Sequence, residues 1–270
     1  MIDFPNAKIN LGLHIINKRD DGYHNIETCF YPIGWKDVLE IIPAEKTEFT
    51  SSGLLIPGRS EDNLCVRAYE LVNKKYPIPP VKIHLHKIVP MGAGLGGGSS
   101  DAAFTIISLN KLFEIGMTVD EMSNMAALLG SDCAFFTKNE PVFALEKGDK
   151  WQALEIENLK GYYLVVVYPG IHVSTPEAYK NVIKRGGSAG LKEKLSHSVK
   201  EWKNLIENDF EKSVFPQHPV LESIKNDLYT DGAIYASMSG SGSAVFGIYT
   251  FETDISRFKK ENYLVWGGDM

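Results

Sequence analysis

The spacing of apolar and polar residues along the chain changes period several times, and each change marks an element. Near the N-terminus Ile9, Leu11 and Leu13 alternate with Lys8, Asn10 and Gly12, which predicts a strand with one face on a core and a solvated face for the lysine. Val81, Ile83 and Leu85 alternate in the same way with Lys82, His84 and His86. Elsewhere the period lengthens to that of a helix. Leu64, Ala68, Leu71 and Val72 share one face of a helix that starts near Asp62, and Ala102, Ala103, Ile106, Ile107 and Phe113 recur at helical spacing behind a glycine-rich loop. A third helix opens at Thr118, where Glu121 completes a capping box, carries Met122, Met125, Ala126 and Leu129 inward, and stops at Gly130.

The run PVFALE at 141–146 predicts a strand, and GDKWQAL after it a connection, so a domain boundary is expected near Lys150, with domains 1–150 and 151–270. Beyond it, 162–168 predicts a buried strand. Two or three helices follow, and then GAIYASM at 232–238, SAVFGIY at 243–249, an amphipathic helix and a last strand at 263–266. Such alternation predicts an α+β sandwich. A chain of 270 residues with 44% hydrophobic content can bury a core in two domains of ordinary size. The net charge of −6 offers no basic face to a nucleic-acid backbone, so no nucleic-acid partner is expected. Neither a membrane-length apolar run nor a leader pattern is present, which predicts a cytoplasmic protein with no membrane partner. Cys29, Cys65 and Cys133 are too widely spaced for a disulfide framework or a zinc cluster and are expected to be small buried apolar residues. His84 and His86 share a strand face without a carboxylate or cysteine beside them, which favours a solvated edge over a metal site.

The densest chemistry lies at 90–103, PMGAGLGGGSSDAA. Gly92, Gly94, Gly96, Gly97 and Gly98 let a ligand approach the main chain, while Ser99 and Ser100 add hydroxyls and an expected helix N-cap. Strand, glycine loop and helix in this order deliver free N–H groups and the positive end of a helix dipole to one point, as a phosphate requires. A Walker loop is excluded, because no lysine occurs between Pro90 and Asn110. Gly92, Gly94 and Gly97 satisfy the dinucleotide pattern G-x-G-x-x-G, yet Pro90 interrupts the strand-to-loop junction and Ser-Ser-Asp has no place in that fingerprint. Protein kinases are excluded by the lack of HRD, DFG and VAIK segments.

This run resembles the phosphate-binding motif of the GHMP small-molecule kinases, which include the galacto-, homoserine, mevalonate and phosphomevalonate kinases. AKINLGL at 7–13, followed by Asp21-Gly22-Tyr23-His24, resembles one branch of that superfamily, whose acceptor is a cytidine-diphosphate sugar alcohol. SMSGSGSA at 237–244 resembles the superfamily's third motif, which folds against the nucleotide loop. The resemblance implies a two-domain α+β fold, with a βα-rich nucleotide-binding N-terminal domain and a ferredoxin-like C-terminal α/β sandwich. It implies ATP-dependent phosphorylation of the 2-hydroxyl of 4-(cytidine 5′-diphospho)-2-C-methyl-D-erythritol in non-mevalonate isoprenoid biosynthesis, by a monomer or homodimer. Another GHMP kinase, of homoserine or mevalonate type, and a non-catalytic nucleotide sensor on the same fold are the alternatives.

The resemblance also assigns residues. Asp132, in Gly130-Ser131-Asp132, is the general base, where an ordinary turn aspartate is the competing view. Lys8 supplies positive charge near the acceptor hydroxyl, and Asn10, on the same strand face, hydrogen-bonds substrate or phosphate or is a surface residue. Pro90, Met91, Gly92, Ala93, Gly94, Leu95, Gly96, Gly97, Gly98, Ser99 and Ser100 cradle the nucleotide, with Ser239, Gly240, Ser241 and Gly242 packed nearby. Tyr23 and His24 hold the cytosine, with Tyr179 on its other side unless that tyrosine is a core aromatic. Magnesium accompanies ATP in such chemistry. Ser99 or Ser100 is its expected ligand by analogy with other phosphate loops.

Overall fold

In the computed structural model, which describes residues 1–154, 156, 159–180, 182, 184–188 and 190–270, the strand predicted from Val81, Ile83 and Leu85 runs Val81–Lys87, with those three residues buried. In chain order the strands are β1 (Ile2–Asp3), β2 (Asn6–Lys18), β3 (His24–Lys36), β4 (Val38–Pro43), β5 (Glu48–Gly53), β6 (Val81–Lys87), β7 (Val142–Glu146), β8 (Lys150–Gln152), β9 (Tyr163–Tyr168), β10 (Tyr235–Met238), β11 (Val245–Tyr249) and β12 (Leu264–Asp269). They fall into two units. One is made of Met1–Ala7, Trp35–Met91 and Gly96–Glu140, the other of Lys8–Gly34, Gly92–Leu95 and Pro141–Met270.

The first unit is a sheet in the order β1-β4-β6-β5 with helices α1 (Leu64–Lys75), α2 (Gly97–Leu112) and α3 (Val119–Ala127). Leu39, Ile41, Ile83 and Leu85 meet Ala68 and Val72 of α1, Ile106 of α2 and Met122 and Met125 of α3 in one core. The helix starts follow local chemistry. Asn63 caps α1 by accepting the Cys65 N–H, and Thr118 with Glu121 forms the predicted capping box of α3. Helix α2 departs from expectation at its start. Gly96, with φ 70°, is the N-cap, so Ser99 and Ser100 lie inside the helix instead of capping it. A left-handed glycine turns the chain into the helix before the serines are reached.

The second unit carries two sheets. One has the order β2-β3-β7-β8; the other is β10-β11-β9-β12, antiparallel throughout, which is the ferredoxin-like order within the last four strands. The helix Pro219–Thr230 lays Leu221, Ile224 and Leu228 on the latter. The amphipathic helix expected before β12 is a single 3-10 turn, Ile255–Phe258, in which only Phe258 is buried. One buried side chain cannot hold a longer amphipathic element against the entropy of ordering it. Strand β2 is buried on both faces, so Lys8, Asn10 and His14 are 4%, 2% and 0% exposed and the solvated face expected for Lys8 does not exist. No helix among the described residues is long and apolar enough to cross a membrane.

Within the first unit an ion cluster ties β6 to α2. Lys87 follows Leu85 at the inward parity of its strand, and its Nζ stands 2.5 Å from Asp37 Oδ2 and 2.7 Å from Asp101 Oδ2. Asp37 Oδ1 accepts the N–H groups of Ile88 and Val89, at 2.5 and 2.8 Å. One cation faces two carboxyls out of water, and burial pushes the Asp101 carboxyl up to about 7. Burial works against the Lys87 charge, but Asp101 and Asp37 outweigh it and hold the ammonium above its ordinary range.

Two consequences are measurable in urea unfolding. Lys87→Met strands two buried carboxyls and is expected to cost about 3–5 kcal/mol. Because the folded-state pKa of Asp101 lies above its unfolded value, the stability it contributes is present below 3.8 and lost as pH rises to about 7. Wild type should therefore lose stability relative to Asp101→Asn across that interval, and a constant difference would refute the assignment.

Candidate functional site

In the second unit the glycine loop meets the third glycine segment main chain to main chain. The Gly94 carbonyl accepts the Ser239 hydroxyl at 2.9 Å and the Lys8 ammonium at 3.1 Å. On either side of it, the Ala93 carbonyl accepts Ala244 N–H at 3.0 Å and the Leu95 carbonyl accepts Lys8 N–H at 2.9 Å. Gly94, at φ +78°, has to be glycine, since a Cβ there would fall on the Ser239 carbonyl oxygen. Because a trans peptide sends its N–H opposite to its carbonyl, anchoring Ala93 and Gly94 by their carbonyls turns the amides of Gly94 and Leu95 the other way. That polarity suits an anion.

Lys8 and Asn10 complete this cluster. Lys8 Nζ donates to Asn10 Oδ1 at 2.6 Å and lies 5.0 Å from the centre of the Phe30 ring. Asn10 Nδ2 donates to Thr28 Oγ1 at 2.9 Å, and Thr28 passes its own proton to the Gly12 carbonyl at 2.6 Å. Asn10 N–H donates to Ser239 Oγ at 3.2 Å. Asn208 Nδ2 binds the carbonyls of Met238 and Gly240, at 2.7 and 2.8 Å, and so fixes the turn that contains Gly240, Ser241 and Gly242. Four of the residues singled out from sequence, Lys8, Asn10, Gly94 and Ser239, thus meet in one hydrogen-bonded group.

Outside Gly92–Leu95 the predicted loop belongs to the first unit. Pro90 is buried and Met91 half-buried, and Gly97, Gly98, Ser99 and Ser100 form the first turn of α2, whose opening N–H groups have no partner within the helix. The Ser100 hydroxyl is enclosed with no hydrogen-bond partner among the described residues, as is Asp101 Oδ1. Asp132 lies in the same unit, half-buried in the turn that precedes the short helix Phe135–Lys138, with Ser131 Oγ donating to its Oδ1 at 3.3 Å.

The aromatic residues sit in the second unit. His24 and Tyr179 stack face to face, centroids 4.3 Å apart and planes 13° apart, and Tyr179 meets Phe210 edge-on at 4.8 Å. Tyr179 is therefore a core aromatic on one side and a stacking partner on the other. Burial, assisted by Lys184 and Lys18, holds His24 below the ordinary imidazole range and favours its neutral form. Tyr23 is 62% exposed with the Lys147 ammonium 5.2 Å over its ring.

Sequence reasoning missed Thr28, Asn208 and Lys87. Lys87 carried a signal, a lysine at the inward parity of an apolar strand. The other two had none, because their partners are distant in sequence.

Residues 63–140 match the GHMP kinases N terminal domain and residues 188–262 the GHMP kinases C terminal domain. The 4-diphosphocytidyl-2-C-methyl-D-erythritol kinase of Cytophaga hutchinsonii is 54% identical over 92% of this chain and 92% of its own. The kinase of the same name from Parabacteroides distasonis is 47% identical over the whole of both chains. A crystal structure of 4-(cytidine 5′-diphospho)-2C-methyl-D-erythritol kinase superimposes with a TM-score of 0.82 at 29% identity, covering 99% of this chain and 98% of that one. A mevalonate kinase structure shares the fold, with a TM-score of 0.71 at 15% identity over 99% and 98% of the two chains.

The contact at Gly94 makes a stability prediction. In Gly94→Ala the strained φ and the collision with Ser239 are expected to cost about 2–4 kcal/mol. Thermal unfolding should show Tm lowered by about 5–10 °C; an unchanged Tm would mean that the two glycine segments do not abut.

Proposed function

Because the chain belongs to the GHMP kinases, and within them to the 4-diphosphocytidyl-2-C-methyl-D-erythritol kinases, we propose that it phosphorylates the 2-hydroxyl of 4-(cytidine 5′-diphospho)-2-C-methyl-D-erythritol with ATP, giving the 2-phosphate and ADP in non-mevalonate isoprenoid precursor biosynthesis. The observation that carries this reading is the 47% identity that runs from end to end of this chain and of its Parabacteroides relative. A cytoplasmic enzyme acting on two small molecules goes with it.

The acceptor oxygen bonds to the γ-phosphorus as the bond from that phosphorus to the bridging oxygen of ADP breaks, and the hydroxyl proton passes to Asp132. Little covalent chemistry is asked of the protein, so rate comes from positioning and from charge placed where negative charge develops. Lys8 supplies such charge, with its Nζ set by Asn10 Oδ1 and the Gly94 carbonyl. Main-chain groups from Pro90 to Ser100 take the triphosphate, backed by the turn at Ser239, Gly240, Ser241 and Gly242. Magnesium suits the donors present, since Ser99 and the enclosed, unpartnered hydroxyl of Ser100 are hard oxygen ligands at the start of α2. When bound, the ion neutralises charge on the β- and γ-phosphate oxygens. Tyr23, His24 and Tyr179 take the cytosine; because His24 and Tyr179 stack directly on each other at 4.3 Å, the base stacks on an outer ring or parts that pair to enter between them, each stack contributing about 1–3 kcal/mol.

ADP release from ATP with a panel of acceptors tests the reading: the cytidylated methylerythritol, methylerythritol 4-phosphate, homoserine and mevalonate. Turnover is expected with the first alone, and Asp132→Asn should reduce it by about two to four powers of ten. Turnover with homoserine or mevalonate would discard the cytosine assignment, and full activity in Asp132→Asn would discard the base.

A further inference from the structure

One titratable side chain that the mechanism does not use lies on the glycine loop itself. His172 belongs to the connection between β9 and the helix Thr175–Tyr179, and its ring covers Gly92. Where a Cβ at Gly92 would stand, His172 Nδ1 is 2.6 Å away and Cε1 2.8 Å. Gly92 lies at φ +65°, which by itself favours glycine, and a Cβ there would also have to displace the imidazole.

The ring is exposed to solvent, but the main chain that carries it is held on both sides. Ile171 packs on the core and its carbonyl accepts the Ser243 hydroxyl, while Val173 is 3% exposed. Ser174 then caps the following helix by accepting the Glu177 N–H at 3.3 Å. The loop beneath is fixed through the same turn, because Ala244, next to Ser243, donates its N–H to the Ala93 carbonyl. Loop and imidazole are thus registered to each other by one segment, 243–244. An imidazole always keeps at least one N–H donor, and here that donor stands beside a loop whose other donors are main-chain amides.

We infer that His172 is a ligand of the nucleotide, donating a hydrogen bond to a β-phosphate oxygen of the chain that the glycine loop holds. The inference rests on the loop being the ATP site. A phosphate chain is also present in the cytidine-diphosphate acceptor, so the two sources have to be separated by experiment.

Titration calorimetry on the full chain with AMP, ADP and CDP does so, comparing wild type, His172→Leu and His172→Gln. Leucine keeps the packing over Gly92 and removes the donor; glutamine restores a donor. His172→Leu is expected to weaken ADP binding about 5–10-fold. AMP and CDP affinities and Tm should stay unchanged, and His172→Gln should remain within about two-fold of wild type. Gly92→Ala, which pushes the imidazole aside while leaving it in the chain, should reproduce the loss. ADP affinity unchanged in His172→Leu, equal losses for AMP and ADP, or a loss confined to CDP would each overturn the assignment. If wild type binds ADP no better than AMP, the reading of the loop fails first and this one with it.

Discussion

The site depends on two stretches of main chain meeting with no side chain between them. Gly94 presents a carbonyl that both Ser239 and Lys8 bind, and the contact tolerates no Cβ. From that one constraint follow the inward carbonyls of the loop, the outward amides of Gly94 and Leu95, and the position of the Lys8 ammonium. Asn10 serves both partners: its N–H goes to Ser239 and its Oδ1 to Lys8. The glycines at 92–98 thus do more than loosen the chain. They let polar backbone be packed as tightly as a core is packed elsewhere.

The protein uses its buried lysines in two different ways. Lys87 sits between two carboxylates, so its charge is spent on joining a strand end to the first turns of a helix. Lys8 rests on an amide oxygen, a carbonyl oxygen and the face of a phenylalanine.

Much of the fold was legible in the sequence because its signals are local. The capping box at Thr118 and the alternation of Val81, Ile83 and Leu85 depend on neighbours a few residues away, and both appear as expected. The GHMP kinase fold was legible through its motifs, which the matches at 63–140 and 188–262 bear out. Non-local facts were not. Alternation in β2 suggested a wet face for Lys8, but Thr28, Ser239 and Gly94 arrive from far along the chain to cover it. The same holds for Asn208, whose role is set by carbonyls thirty residues away. Only Lys87 announced a non-local partner, since a lysine on an apolar face requires counter-charge from somewhere.

The hydrogen bond from Asn10 to Ser239 joins residues 229 positions apart, and the one from Ser239 to Gly94 spans 145. Closing such loops costs entropy before any contact rewards it, so the cradle forms only after most of the chain has found its place. A partly folded chain has the glycines but not the oriented amides. Under the function proposed above, competence to hold a phosphate chain therefore arrives with completion of the second unit, and a nucleotide that bound the finished cradle would draw the folding equilibrium toward it.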